Sequence, residues 1–333
     1  MTERPGSPPL LEREPELEAI EQALAAAERA EGALVVIEGE AGIGKSSLLE
    51  HAATRARSRG MRALSARGSE LEAGFPLGVV LQLLSEPLES AGSRERRALF
   101  EGPAALASPL LEAREPADLP SAADSIFPLL HGLHWLVAAL CERRPLLISV
   151  DDAQWADAAS LTFLNFLAPR LAGLAATIVA AVPAGEAGPG EQLRLGQAAQ
   201  TLRPLPLGAK GVQALVRRTF PGADEAFCAA CGHATGGNPL YLASLLASAA
   251  AEGIDPVRDG TSALAGLGPP EIAVSVDRRL GRLGTDPRRL AEAVAILGDG
   301  ASPPLARQLA GLDGETGSTA ADQLAVAGLL RVG

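Results

Sequence analysis

One eight-residue string constrains this chain more than any other: Gly39-Glu40-Ala41-Gly42-Ile43-Gly44-Lys45-Ser46. It matches the pattern G-x-x-x-x-G-K-S/T in full, and its surroundings suit a loop that cradles phosphate. Upstream, Leu34-Val35-Val36-Ile37 is a β-branched-rich run that reads as a buried strand. Downstream, Lys45 to Arg59 places Leu48, Leu49, Ala52 and Ala56 on one helical face. The glycines permit a tight turn that points backbone N–H groups inward, and with the helix N-terminus these donors form an anion nest. On this reading Lys45 lies on the β- and γ-phosphates, Ser46 ligates Mg²⁺ through its hydroxyl, and Ser47 completes the nucleotide-binding segment. The alternative, a Gly-rich turn that binds nothing, is disfavoured by the strand and helix on either side.

A second signal supplies the metal half of such a site. Leu146-Leu147-Ile148-Ser149-Val150 is a buried-strand run that ends in Asp151-Asp152. Ligands of open α/β sheets bind at the carboxyl ends of the strands, and a strand-end carboxylate completes a phosphate-loop metal site. Asp151 is expected to hold Mg²⁺, mostly through water, and Asp152 to polarise the attacking water as general base. Two acids in a loop would ordinarily be solvated surface; the phosphate loop upstream makes the catalytic reading the stronger one.

Further strands are expected at 62–66, 177–182 and 201–207, alternating with helices at 16–30, 45–59 and 160–171. Alternation of this kind implies a parallel, doubly wound sheet. Residues 70–140 read as helical, broken by Pro and Gly around 102–120, and 1–9 read as a loose tail, with a Gly/Pro/Glu loop at 184–190. From Gly208 onward strand signals fade, so 209–333 reads as helical, in two small units that part near 255–268. The formal net charge of −11 argues against this chain alone gripping nucleic acid, which requires clustered Lys and Arg. Three cysteines, no apolar leader and no long apolar span point to a cytoplasmic protein with no membrane segment.

The string Pro145-Leu146-Leu147-Ile148-Ser149-Val150-Asp151-Asp152-Ala153-Gln154-Trp155-Ala156-Asp157 resembles the large ATP-binding LuxR-type transcriptional regulators, a STAND class of signal-transduction NTPases related to AAA+ proteins. Two other stretches carry the same resemblance. Leu10 to Leu17 is similar to the family's opening motif beside the adenine, which assigns Arg13 to the nucleotide. Thr235-Gly236-Gly237-Asn238-Pro239-Leu240-Tyr241-Leu242 is similar to its lid motif, which brings Pro239 near the base. The resemblance implies an α/β P-loop NTPase domain at 1–208, a helical lid at 209–255 and an incomplete winged-helix-like domain at 256–333. It implies ATP/ADP and Mg²⁺ as cofactors, self-association in the ATP state, and contact with DNA only through a C-terminal domain that this chain does not carry. The family often has an arginine near the γ-phosphate after the fourth strand, whereas Ala180-Ala181-Val182-Pro183-Ala184 has none, which implies slow hydrolysis. Residue by residue, Pro239 suits the first turn of a helix. Trp155 either packs under the metal acids or belongs to the core.

Weaker constellations remain. Cys228 and Cys231 with His233 lack the second ligand pair of a structural zinc site and read as small apolar helix residues. Arg143-Arg144 and Arg217-Arg218 read as solvated faces, His51, His131 and His134 as structural, and Arg170 as a candidate to reach a neighbour's site. Three functions compete: a regulatory ATPase switch, a P-loop kinase of a small molecule, and a degenerate module that binds ATP without turnover. The helical tail and lid motif favour the switch.

Overall fold

The computed structural model describes residues 10–108, 126–184, 199–257, 264, 276–277, 280–281, 283–298, 301–327 and 329–330. The expected tail at 1–9, the loop at 185–190 and most of the boundary at 255–268 lie outside them. The chain divides into two compact units, Met1–Pro206 and Leu207–Gly333.

The first unit is built on five parallel strands: β1 (Leu34–Gly39), β2 (Arg62–Arg67), β3 (Leu146–Asp151), β4 (Ala176–Pro183) and β5 (Ala199–Leu202), in the order β2-β3-β4-β1-β5. Every residue of β1 is buried, as a strand covered on both faces requires. Its side chains alternate between two cores. Leu34 and Val36 join Ile148, Val150, Ile178 and Ala180 beneath one layer of helices. Val35 and Ile37 join Leu147, Val179 and Ala181 beneath the other. The second core is closed by α1 (Glu14–Glu28) and α2 (Lys45–Ser58), through Ile20, Leu24, Leu48 and Ala52. The first is closed by α3 (Gly78–Ser90), α5 (Phe127–Cys141) and α6 (Ala158–Leu167). Between α3 and α5 lie the short α4 (Ser93–Leu99) and a 3-10 turn, Gly102–Ala107.

Among the boundaries that differ from the sequence expectation, three have a plain local reason. The strand expected at 201–207 runs from Ala199 to Leu202, because Pro204 and Pro206 have no N–H to extend the ladder. The helix expected from residue 70 begins at Gly78. Pro76 disfavours helix at the residue before it, and Leu77 sits at φ 59°. The helix expected at 160–171 begins two residues earlier, where Asp157 caps it by accepting from the Ser160 N–H, and becomes a 3-10 turn at Ala168–Arg170.

In the second unit, α7 (Ala209–Thr219), α8 (Glu225–Thr235) and α9 (Pro239–Ala251) pack on one another. Pro239 opens α9, and Asn238 caps it by accepting from the Leu240 and Tyr241 N–H groups. The Leu207 N–H donates to the Gly237 carbonyl at 2.8 Å, which places residues 207 and 208 with these helices. α10 (Thr285–Leu297), α11 (Pro303–Ala310) and α12 (Gly314–Val326) share a small core of Leu280, Leu290, Ala306, Ala320 and Leu324. Among the described residues no helix is long and apolar enough to cross a membrane.

Candidate nucleotide site

Parallel strands bring the carboxyl ends of β1 and β3 to one edge of the sheet, and the residues singled out on the β1–α2 loop and the β3 end lie there. The loop Gly39–Gly44 leaves β1 and enters α2 through Gly44, at φ 106°, a conformation a side chain would strain. Beyond its chain neighbours and the backbone of α2, no atom lies within 4 Å of the Cβ that Gly44 lacks. No side chain caps α2 there, and the positive end of its dipole faces the loop. The Lys45 ammonium curls back over the loop, donating to the carbonyls of Gly39 at 2.7 Å and Glu40 at 2.8 Å.

Arg13 is buried, 4% exposed, and donates to the Ile43 carbonyl at 3.0 Å and to the Glu12 carbonyl at 2.8 Å. Its guanidinium thus braces the loop. Beside β1, Arg203 donates to Oε2 of the buried Glu38 at 3.2 Å, one residue before Gly39.

Across the edge, the Ser46 hydroxyl donates to Asp151 Oδ2 at 2.8 Å, although 105 residues separate them. Two hard oxygen donors at this spacing fit a magnesium ion, which takes one or two protein oxygens and keeps several waters. The loop, the ammonium and this oxygen pair fit a nucleotide with its metal. Ser46 and Asp151 would hold the ion, and Gly39 to Ser47 the phosphates.

Asp152 is held differently. It adopts a left-handed conformation, φ 48°, and its Oδ2 accepts from Arg67 Nε at 2.9 Å and Nη2 at 2.6 Å, while Oδ1 accepts from Gln154 Nε2 at 3.2 Å. The pairing follows from register, since Arg67 closes β2 opposite Asp151. Hydrogen bonding to Asp152, reinforced by its charge, raises the Arg67 pKa above its ordinary value. The arginine side chain is 71% exposed, so the pair adds little to stability. Its importance lies in occupying the carboxylate expected to act as base. Gly68 is needed beside it: a Cβ there would stand 2.3 Å from the Asp152 carbonyl oxygen.

A third acid fixes this edge. Asp157 is 4% exposed and accepts from the N–H groups of Leu77 at 2.7 Å, Val79 at 3.4 Å and Ser160 at 2.8 Å. It ties the start of α3 to the start of α6 just beyond the acidic pair. Removing it strands buried donors. Asp157→Ala therefore costs about 2–4 kcal/mol, from a lost cap plus unmet N–H groups. Asp157→Asn, which keeps Oδ1, costs less. Urea unfolding midpoints of the two variants measure the difference.

The other residues singled out in the sequence lie elsewhere. Cys228 and Cys231 are buried in α8, and burial pushes the Cys231 thiol up to about 11. Arg143 pairs with Glu95. Trp155 sits partly exposed in the 3-10 turn Ala153–Trp155, after the acidic pair. Pro239 belongs to the second unit. Arg67 and Arg203 carry no motif; only strand adjacency reveals them.

Phosphate loop, acidic strand end and five-stranded parallel sheet together define a P-loop NTPase fold. The chain belongs to the AAA ATPase domain family, which matches residues 9–179, just over half its length. It is a Walker-type ATPase module. Among solved structures it is similar to a Walker-type ATPase of Pyrococcus abyssi, with 16% identity over 98% of this chain and 92% of that one and a TM-score of 0.61. It is also similar to the ORC2 protein of Aeropyrum pernix in ADPNP–ADP complexes, with 17% identity over 99% of this chain and 89% of that one and a TM-score of 0.59. None of the curated proteins matches it.

Proposed function

We propose that this chain is the ATP-driven switch module of a LuxR-type transcriptional regulator, binding Mg-ATP at the β1–α2 loop and hydrolysing it slowly. The observation that carries the reading is the 2.8 Å bond between Ser46 and Asp151, which assembles a metal-binding oxygen pair from two distant motifs. In this reading Lys45 neutralises the β- and γ-phosphates, and the loop N–H groups and the start of α2 orient them. Bound Mg²⁺ would supply charge neutralisation between those phosphates. Asp152 takes a proton from the attacking water, and Arg13 positions the loop. The LuxR assignment rests on the Asp151–Asp157 string and the Thr235–Leu242 string. With them go a lid at 209–255 containing Pro239, a winged-helix-like domain at 256–333, self-association in the ATP state, and DNA contact through a separate domain.

Slow turnover is supported by two features. No arginine follows β4 at Pro183, and Arg67 holds Asp152 in an ion pair, so the base must exchange partners before it meets water. Steady-state phosphate release from the pure protein tests the reading. Release below the roughly 1–10³ s⁻¹ usual for enzymes supports it, and turnover above about 10 s⁻¹ without a partner refutes it. The same ion pair favours a second reading, a module that binds ATP without turnover, for which release stays undetectable while calorimetry still detects ATP binding. Arg67→Ala separates the two: in a slow switch it raises basal release severalfold at unchanged ATP affinity, and in a degenerate module it changes nothing.

A further inference from the structure

The aromatic residues of this chain are few, seven Phe, two Trp and one Tyr in 333 residues. Three of them gather with two of the four histidines on one surface of the first unit. Phe127, His131 and Trp135 follow at intervals of four along α5 and therefore share a face. Phe127 meets His131 at 6.3 Å between ring centres, His131 meets Trp135 at 6.2 Å, and both Phe127 and His134 meet Phe166 of α6, at 5.7 and 6.4 Å. Such a cluster normally lies inside a protein. Here Phe127 is 57% and Trp135 43% exposed. Contiguous exposed apolar surface of this kind marks interaction sites, and Trp and Arg lead the residues that carry binding energy.

The electrostatics of the patch identify the partner's chemistry. The Arg170 guanidinium lies 3.7 Å from the centre of the Phe166 ring and spends one N–H on the Phe166 carbonyl. Arg170 is exposed, and a guanidinium with N–H groups to spare suits a carboxylate. Among the described residues Arg170 meets no carboxylate. In a chain of net charge −11, neither α5 nor the stretch from Ala158 to Arg170 contains an acidic residue. The surroundings of His134 agree: burial, then Arg170, then His131 lower its pKa, and no acid opposes them. A single guanidinium amid neutral rings suits one carboxylate on an apolar segment. It does not suit a polyanion, which needs a groove of positive charge along its backbone.

We propose that the α5–α6 aromatic face, Phe127, His131, Trp135 and Phe166 with Arg170 at its margin, docks an acidic peptide segment that presents aliphatic or aromatic anchors. Panning a library of short random peptides against the intact chain, with counter-selection on Arg170→Glu and on Trp135→Ser, tests this. Peptides that bind the wild type and are lost on the variants should be rich in Asp or Glu next to Leu or Phe. A labelled representative should bind about tenfold more weakly to either variant, Trp135→Ser removing an aromatic anchor and Arg170→Glu reversing the paired charge. Both positions are exposed, so the variants should melt as the wild type does. The proposal is overturned if no peptide distinguishes wild type from variants, if the distinguishing peptides are neutral or basic, or if labelled oligothymidylate binds the face and is lost with Arg170→Glu.

Discussion

Lys45→Ala lowers ATP affinity by about 10²–10⁴-fold, the loss expected from about two charge-assisted bonds to phosphate worth some 1.5–3 kcal/mol each. The ammonium rests on the Gly39 and Glu40 carbonyls, so it already lies across the mouth of the loop, and a phosphate has only to take over its donors. Arginine does not replace it well, because a planar fork cannot sit on two adjacent carbonyls as a compact ammonium does. Folding should be unaffected: the residue is only partly buried at the first position of α2, and alanine is a good helix former. Calorimetric titration with Mg-ATP, alongside a thermal melt of the empty protein, measures both. Unchanged affinity would remove the β1–α2 loop as the nucleotide site.

Asp152→Asn leaves Mg-ATP affinity intact and cuts phosphate release by about 10²–10⁴-fold, the usual contribution of a general base. Asparagine preserves shape and the acceptor for Gln154, and the pairing it weakens, with an arginine 71% exposed, is worth at most about 1 kcal/mol. Asp151→Asn behaves otherwise. Its Oδ2 accepts from Ser46, so the loss falls on the metal pair, and Mg²⁺ dependence and Mg-ATP binding weaken together. Asp151 is the last residue of β3, whereas Asp152 turns out of the strand in a left-handed conformation, which is why neighbours can divide the work. Two variants that behave alike in both assays would contradict that division.

What a sequence can reveal depends on how far apart the cooperating residues lie. The cores of β1, β3 and β4 are legible because each is a short unbroken apolar run. The loop and the acidic pair are legible because each is a local string. Their meeting follows from the general rule that ligands gather at the carboxyl edge of a parallel sheet. Arg67 escapes such reading: it belongs to no motif, and it reaches Asp152 only because β2 lies beside β3, 85 residues later. Asp157 stands in a string that attracts notice, yet its work is done on Leu77 and Val79, some 80 residues earlier in the chain. That distant acceptor, with Pro76, starts α3 at Gly78 rather than at residue 70, where the helical reading of 70–140 begins.

The margins of the sheet have a consequence for how copies of this chain can associate. At one border β5 offers four residues before Pro204 and Pro206 end the hydrogen-bonding row. At the other, β2 begins and ends in arginine, at Arg62 and Arg67. Short, proline-stopped or charged borders are poor templates for an incoming strand. Among the described residues, the borders of the sheet therefore resist strand exchange and fibre growth, a protection written into two prolines and two arginines.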